Sequence, residues 1–228
     1  MARRKPNETA AEADGQGDGT AKSRDADRSR KLLLEVAGAE FAEFGLGGAR
    51  MARIAERANL DKKLIFYYFK SKEALYTEVL AETYAKIRRA ESELNLSELS
   101  PADAICQLTE FTWQYYLDNP DFITLLNSEN LHRARHISTL PDIRNLNSPL
   151  ISMLGSILEK GVATGEFKPG IDPVQLYISI ASLSYFYLSN NHTLSAIFGR
   201  NLLSEQAKRE RLEHIKQFVL SYVRSPST

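Results

Sequence analysis

The chain has 228 residues, of which 43% are hydrophobic and 25% charged, a composition typical of a water-soluble globular protein with a core. Its formal net charge is zero, but residues 1–72 hold 15 Lys and Arg against 11 Asp and Glu, whereas residues 73–228 hold 14 against 18. A basic N-terminal part suits a protein that approaches phosphate groups there, although an offset of this size also arises by chance.

Cysteine usage and hydropathy exclude several classes of protein. The one cysteine, Cys106, cannot form an intramolecular disulfide, and no metal-ligand spacing surrounds it, so a reduced, half-buried thiol is predicted. No apolar segment follows the basic start MARRK, and no run approaches the roughly 20 apolar residues of a transmembrane helix. We therefore expect a cytoplasmic protein without a membrane partner, a cofactor or a metal site.

Residues 1–24 form a polar segment that has almost nothing to bury. Such a segment cannot offset the entropy lost on ordering and is predicted to be disordered. Its basic start either acts as an arm that contacts phosphate groups or has no measurable role, and the sequence leaves both possibilities open.

The first predicted helix starts near Asp27 and carries an apolar stripe at i, i+3, i+4 spacing from Leu33 to Phe44. Glycines at positions 45, 47 and 48 are expected to end it, as glycines do at helix C-termini. A second, short helix is predicted over Met51–Ala58, with the apolar residues at positions 51, 54, 55 and 58 buried.

Turn and capping residues separate the next helices. Asn59 occupies a turn that needs a left-handed residue, and Asp61 is a favourable N-cap for a third helix, Lys62–Phe69. Ser71 is expected to cap a fourth helix that continues to about Leu94.

The remainder is also predicted to be helical, because no period-two alternation is long enough for a strand. Helices are expected over residues 101–118, 121–137, 143–163, 173–190 and 204–224, with a short helical insert at 192–198. The chain is therefore predicted to be all-α, with a three-helix N-terminal domain and a larger C-terminal helical domain.

Two short helices joined by a tight turn are the helix-turn-helix signature, in which the second helix lies in the major groove of DNA. The segment 54–75, IAERANLDKKLIFYYFKSKEAL, resembles the TetR family of bacterial transcriptional regulators, whose usual text is IA..AGVS...LY.YF.SKE.L. FAEFG at 41–45 also matches the family's F...G. The resemblance implies a DNA-binding domain over residues 25–72 and a regulatory and dimerisation domain over residues 73–228.

Three positions depart from the family pattern. Asn59 replaces the usual turn Gly, and Asp61 replaces the capping Ser with a carboxylate that repels a nearby phosphate. Arg50 stands where the family has a Ser or Thr that bonds phosphate, and we expect Arg50 to contact phosphate directly. These changes leave the fold secure but make the operator sequence unpredictable.

The docking geometry gives the candidate DNA-binding residues their roles. Lys62 and Lys63, at the start of the reading helix, donate either to guanine O6 and N7 or to phosphate only. Leu64 and Phe66 are expected to pack on thymine methyl groups. The remaining candidates are Tyr68 and Lys72, which match family positions that grip the backbone, and Tyr67, for which burial and a phosphate contact remain equally open.

The resemblance further implies a homodimer, a palindromic double-stranded operator and a small-molecule effector bound by the C-terminal domain. Candidate effector-binding residues come from two aromatic clusters, although aromatic residues at helical spacing also serve as ordinary packing. They are Trp113, Tyr116, Phe122, Met153 and Tyr185. The last two long helices are expected to form the dimer interface, because the stretch 185–194 is too apolar for a solvated helix end.

The resemblance favours a repressor that a small-molecule ligand releases from its operator, but alternatives remain. A DNA-binding activator or co-regulator controlled by a protein partner has the same sequence features. A helical-bundle enzyme is disfavoured, because no Glu-x-x-His pair, phosphate-binding Gly loop or supported Ser/His/Asp order is present. The basic run 132–136 has His132 and His136 four residues apart but lacks a third metal ligand, so it suits an anion contact or, more simply, a solvated face.

Overall fold

The fold is helical along its length. The computed structural model describes residues 17–141 and 143–225, which contain ten α-helices and one isolated β-bridge between Phe167 and Arg224. The helices are α1 Gly17–Gly48, α2 Met51–Ala58, α3 Lys62–Phe69, α4 Lys72–Ser92, α5 Pro101–Asp118, α6 Pro120–Leu131, α7 Ile143–Ala163, α8 Pro173–Ser189, α9 Asn191–Phe198 and α10 Glu205–Val223.

Capping chemistry sets the helix boundaries in the N-terminal domain, as predicted. Asn59 ends α2 in the left-handed region, with φ of 51°. The Asp61 side chain accepts from the Lys63 N–H at 2.8 Å and begins α3, and Ser71 accepts from the Ala74 N–H at 3.0 Å and begins α4. The kink at Gly45, with φ of 64°, interrupts α1 where the glycines were expected to end it.

Two predicted boundaries were wrong. Residues 1–16 of the predicted tail lie outside the described residues, and α1 begins at Gly17 rather than near Asp27, with residues 17–26 added to its start. These residues extend a helix that is already nucleated, which costs far less than starting one. Helix α6 ends at Leu131 rather than near Ile137, because Arg133 and Ala134 both have φ of 57°.

The buried residues form two hydrophobic cores that share one helix. In the N-terminal domain, α1 to α3 pack on the first half of α4, with Phe41, Ile54 and Tyr76 fully buried. In the C-terminal domain, Ile87 near the other end of α4 packs with α5, α7, α8 and α10. Leu125 from α6 also enters the N-terminal core, so the two domains are joined by packing as well as by α4.

A buried carboxylate fixes the angle between α1 and α2. Glu40 has no exposed surface and accepts from the Arg50 backbone N–H at 3.0 Å and from the Arg53 Nε at 2.7 Å. Arg57 adds a contact at 3.3 Å. Burial alone would raise the pKa of Glu40, but these hydrogen bonds and positive charges together hold it below its usual value.

We predict that Glu40→Gln destabilises the N-terminal domain by about 3 kcal/mol, because breaking a buried ion pair leaves its partners uncompensated. Urea unfolding at pH 7 measures the change. The matched control is Glu43→Gln, which removes a carboxylate that also binds Arg57, at 2.9 Å, but is 54% exposed. We expect the control to cost less than about 1 kcal/mol. Equal losses in the two variants would show that burial of Glu40 does not matter.

Candidate nucleic-acid interface and regulatory core

Helix α3 presents one face to solvent and buries the other. Ile65 and Phe69 are buried against α1 and α2, and this anchors α3 in the domain. The opposite face exposes Lys62, Lys63 and Phe66, the last of these 43% exposed. An exposed phenylalanine beside two free ammonium groups on a short helix is chemically suited to the edge of the DNA major groove.

Exposure decides the question left open for Tyr67. Its side chain is 77% exposed and meets the ring of Tyr68 edge-on, with centroids 5.4 Å apart, so Tyr67 is not a core residue. Tyr68 and Leu64 are half-buried at the border of the exposed face. The four aromatic and apolar residues at positions 64 and 66–68 therefore share one side of α3 with the lysines or border it.

The structure gives Lys72 an intramolecular role. Its Nζ donates to the Leu46 carbonyl at 2.7 Å and lies 3.4 Å from the Ala49 carbonyl, so it ties the start of α4 to the turn between α1 and α2. Arg50, at the N-cap of α2, has an exposed side chain in the same region. Lys72 therefore holds the backbone that presents Arg50, whatever contact either side chain makes with DNA.

The candidate effector-binding residues have different neighbours in the C-terminal domain. Tyr116 stacks on Phe122 with centroids 5.5 Å apart, and Trp113 meets Tyr187 at 5.6 Å. Met153 instead lines a cleft of about 270 Å³ whose lining also includes Ala104 of α5. Ala104 lies about 18 Å along α5 from Tyr116. Tyr185 donates to the Asn127 side chain.

A larger cleft lies between the two domains. It has a volume of about 450 Å³, and its walls come from α1, α4 and the junction of α5 with α6. Phe122 lines this cleft, so it is placed between the aromatic core and the domain junction. Other lining residues are Arg30, Leu34, Val79, Thr83 and Asp118.

Sequence reasoning missed a buried charged pair in the core of the C-terminal domain, the core formed by the end of α4 with α5, α7, α8 and α10, which we call the regulatory core. Arg88 and Glu91 have side chains only 9% and 2% exposed, and Arg88 Nη1 lies 2.9 Å from Glu91 Oε2. Burial raises the pKa of Glu91 to about 7, against the opposing effect of the Arg88 charge. Glu91 follows Ile87 by four residues and so continues the apolar stripe of α4. A charged residue at such a position was the signal from which its burial could have been predicted.

The end of α6 couples the two domains through a second buried carboxylate. Glu129 accepts from the backbone N–H of His136 at 2.7 Å and of Ile137 at 3.0 Å, and His136 Nδ1 lies 2.9 Å from the same carboxylate. The His136 ring packs edge-on against Tyr76 of α4, at 5.0 Å. His136 therefore belongs to the domain junction, whereas the other members of the basic run, His132, Arg133 and Arg135, are exposed.

Helices α8 and α10 each expose large apolar side chains. Val174, Ile178 and Phe186 follow one another at multiples of four along α8 and are 43%, 49% and 58% exposed. Phe218 and Tyr222 on α10 are 55% and 45% exposed. Arg211 of α10 donates to the Leu183 carbonyl of α8 at 2.6 Å, which holds the two helices side by side.

Within residues 17–141 and 143–225, none of the helices is long and apolar enough to cross a membrane.

Two family profiles match most of the chain. The profile described as bacterial regulatory proteins, tetR family, matches residues 33–79, and the profile described as tetracyclin repressor-like, C-terminal domain, matches residues 101–219. The first covers α2 and α3 with the flanking parts of α1 and α4, and the second covers the core that holds α5 to α8.

Named relatives match over nearly their whole length. The chain is 37% identical to the HTH-type transcriptional repressor NicS of Pseudomonas putida over 203 residues, which is 89% of this chain and 96% of the relative. It is 27% identical to the HTH-type transcriptional regulator RutR of Escherichia coli, over 89% of this chain and 94% of RutR.

Solved structures share the fold. A tetR-family regulatory protein from Rhodococcus matches with a TM-score of 0.66 and 17% identity, over 87% of this chain and 98% of that one. A TetR regulator from Chloroflexus aurantiacus matches with a TM-score of 0.65 and 19% identity, over 88% and 98% of the two chains.

We predict that Glu91→Gln changes how stability depends on pH. The pKa of Glu91 is raised from 4.5 to about 7 in the folded protein, so the folded state keeps a proton that the unfolded state has released. Native stability should therefore fall as pH rises through this window, by at most about 1.4 kcal/mol per pH unit, and the variant should lack this fall.

Urea unfolding of native and variant protein between about pH 5 and pH 8 measures the difference between their free energies of unfolding. The contributions of the other titrating groups cancel in this difference. The advantage of the variant should grow with pH and level off above the pKa of Glu91. The exposed neighbour Glu93, changed to Gln, is the control and should follow the native profile. Parallel profiles for Glu91→Gln and native protein would contradict the raised pKa.

Proposed function

Since this chain belongs to the TetR family of bacterial regulatory proteins, we propose that it is a repressor that binds a palindromic operator as a homodimer and leaves the operator when a small molecule binds its regulatory domain. The family consists of DNA-binding transcriptional regulators, and the chain is a regulator of this type rather than an enzyme. Because its target is DNA, we place it in the cytoplasm.

The exposed face of α3 carries the DNA-binding part of the proposal. Lys62, Lys63, Phe66 and Tyr67 point away from the core, and they have no role in stabilising it. Lys62 and Lys63 reach base edges, and Arg50 reaches the phosphate backbone. Each DNA-binding domain contacts one half-site, and on a palindrome the centres of the two half-sites lie about 34–36 Å apart.

The names of two relatives favour repression of transcription over activation. NicS of Pseudomonas putida and KstR2 of Mycolicibacterium smegmatis are both named transcriptional repressors. A repressor needs a way to leave DNA, and the regulatory core with its buried charged pair supplies a place where binding free energy can be converted into helix movement.

Helix α4 carries the signal in this proposal. Lys72 at its start holds the turn before α2, and Arg88 and Glu91 near its end lie in the regulatory core, about 24 to 29 Å away. A small tilt at the effector end therefore displaces the reading helix. Effector and operator then weaken each other's binding by the same factor, because thermodynamic linkage is reciprocal.

The homodimer is supported by the apolar surface of α8 and α10. Five large apolar side chains on these two adjacent helices are each at least 43% exposed, and exposed apolar side chains grouped in this way suit a protein–protein interface. A two-fold axis across the surface pairs α8 and α10 with their copies, which keeps the two reading helices at a fixed separation.

We predict that Lys63→Ala lowers affinity for the operator by about 5-fold to 150-fold and lowers affinity for random duplex DNA much less, because a base-edge contact discriminates by roughly this factor. The operator is first obtained by selection from a random duplex library. Fluorescence anisotropy at several salt concentrations then compares the two DNAs.

The matched control is Lys86→Ala, which removes the same charge from an exposed position on α4. It should leave both affinities within about twofold of native. If Lys63→Ala instead weakened both DNAs equally and reduced the salt slope by about one, Lys63 would be a phosphate contact and its base-reading role would be wrong.

We predict that the native protein is a dimer of 25.7 kDa chains in light scattering without DNA. The double change Ile178→Glu and Phe218→Glu should give a monomer with unchanged helical circular dichroism, because it puts charges at the centre of the proposed interface. Leu131→Glu, at an 84% exposed position on α6, should remain dimeric. A native monomer at micromolar concentration would rule out this interface.

A further inference from the structure

The pair formed by Arg88 and Glu91 is buried with much of its hydrogen-bonding capacity unused. Among the residues that the structure describes, Arg88 Nε and Nη1 and both Glu91 oxygens have no hydrogen-bond partner, although Nη1 and Oε2 are 2.9 Å apart as an ion pair. Buried polar groups are nearly always hydrogen-bonded, and an unpaired one is costly. A molecule that supplies the missing partners would therefore be bound favourably at this pair.

The surroundings of the pair are aromatic. Tyr177 of α8 accepts from Arg88 Nη2 at 2.7 Å, and its ring centroid lies 5.3 Å from the guanidinium. Burial raises the pKa of Tyr84 to about 12 and also raises that of Tyr116, and the nearby Arg88 charge opposes both shifts. The Tyr116 ring is itself stacked on Phe122. Flat rings of this kind favour a flat guest.

The unused groups define the charge and polarity of the guest. Arg88 offers donors and Glu91 offers acceptors, and when Glu91 is ionised their formal charges cancel. A carboxylate would meet the Arg88 donors but add a second anion beside Glu91, and an ammonium would add a second cation beside Arg88, and burial leaves either repulsion weakly screened. A neutral molecule with an acceptor next to a donor avoids both costs.

We propose that the effector is a small, neutral, planar heterocycle with a cyclic amide edge, whose carbonyl accepts from Arg88 and whose N–H donates to Glu91. In a cyclic amide the carbonyl and the N–H lie side by side on one edge, as the two charged groups do here. The assignment rests on the proposed function in taking the ligand to be the effector, but the contacts that define its class are those of Arg88 and Glu91.

The same pair explains how such a ligand would move α4. Arg88 joins α4 to α8 through Tyr177, and the side chains of Arg88 and Glu91 are only 9% and 2% exposed. The heterocycle therefore has to part α4 from α8 to reach the pair. That displacement begins at the effector end of the helix whose first residue holds the DNA-binding turn.

Binding of three matched probes to the full-length protein tests the class of ligand. The probes are 2-pyridone as the neutral cyclic amide, benzoate as the anion and benzylamine as the cation. Ligand-observed NMR titrations are run at pH 8, where Glu91 is mainly ionised. We expect 2-pyridone to bind at least about tenfold more tightly than either charged probe, since each of those leaves a buried like-charge pair. Tighter binding of benzoate, or no binding of 2-pyridone at millimolar concentration, would overturn the proposal.

Three variants test the site. Arg88→Met and Glu91→Gln should each weaken 2-pyridone by about tenfold or more, because each removes a charge-assisted hydrogen bond. Arg89→Met is the matched control, since Arg89 is the next residue on α4 but is 59% exposed and paired with Glu82, and it should stay within about twofold of native. Melting curves followed by circular dichroism establish that each variant is folded, and two independent variants keep the test valid if one does not fold. Unchanged affinity in a folded Arg88→Met or Glu91→Gln protein would rule out the pair as the site.

The test separates this inference from the proposed function. A protein that binds a selected operator but not 2-pyridone would refute the class of effector and leave DNA binding intact. A protein that binds 2-pyridone through Arg88 but no duplex would refute the proposed regulator and leave the heterocycle site intact. Release of the operator by 2-pyridone in native protein, and not in Arg88→Met, is the result that both proposals together require.

Discussion

The rest of the structure depends on one constraint, the unbroken hydrogen-bond ladder of α4 from Lys72 to Ser92. Leu75 and Leu80 near its start belong to the DNA-binding core, and Ile87 near its end belongs to the regulatory core. A helix that is fixed by packing in two cores cannot bend freely in either. In the proposed mechanism, movement of the regulatory helices relative to α4 is therefore passed to the reading helix as a rigid-body change, without any intermediate chain of contacts.

The contacts at the domain junction limit what that movement can be. Leu125 of α6 is buried in the DNA-binding core, and the carboxylate of Glu129 fixes His136 against Tyr76 of α4. Through these contacts α6, like α4, packs in both domains. In the proposed mechanism, two helices that cross one junction allow a tilt about the line between them and resist a twist, so the motion changes the spacing of the two reading helices of the proposed dimer more than their orientation.

Local sequence signals predicted the N-terminal domain closely, because its boundaries depend on neighbouring residues. Asn59, Asp61 and Ser71 each act on backbone groups within four residues, and each has the predicted role. The end of α6 could not be predicted in this way, since Glu129 captures backbone N–H groups seven and eight residues ahead. Helical spacing likewise identifies Met153 of α7 and Tyr116 of α5 as inward-facing but says nothing about the distance between them, so a site shared by the effector candidates stays a prediction.

Two buried carboxylates show how the chain divides rigidity between its ends. Glu40 meets the Arg50 N–H and the Arg53 side chain, so its charge is fully compensated and its pKa is lowered despite burial. Glu91 has one buried cation beside it but no hydrogen bond within the described residues, so burial dominates and its pKa is raised. The first arrangement resists any change of geometry, because every movement breaks a charge-assisted bond. The second gains from a change of geometry that brings in a partner. In the proposed mechanism this difference, rather than burial itself, makes the DNA-binding end of α4 rigid and its other end the part that responds to the effector.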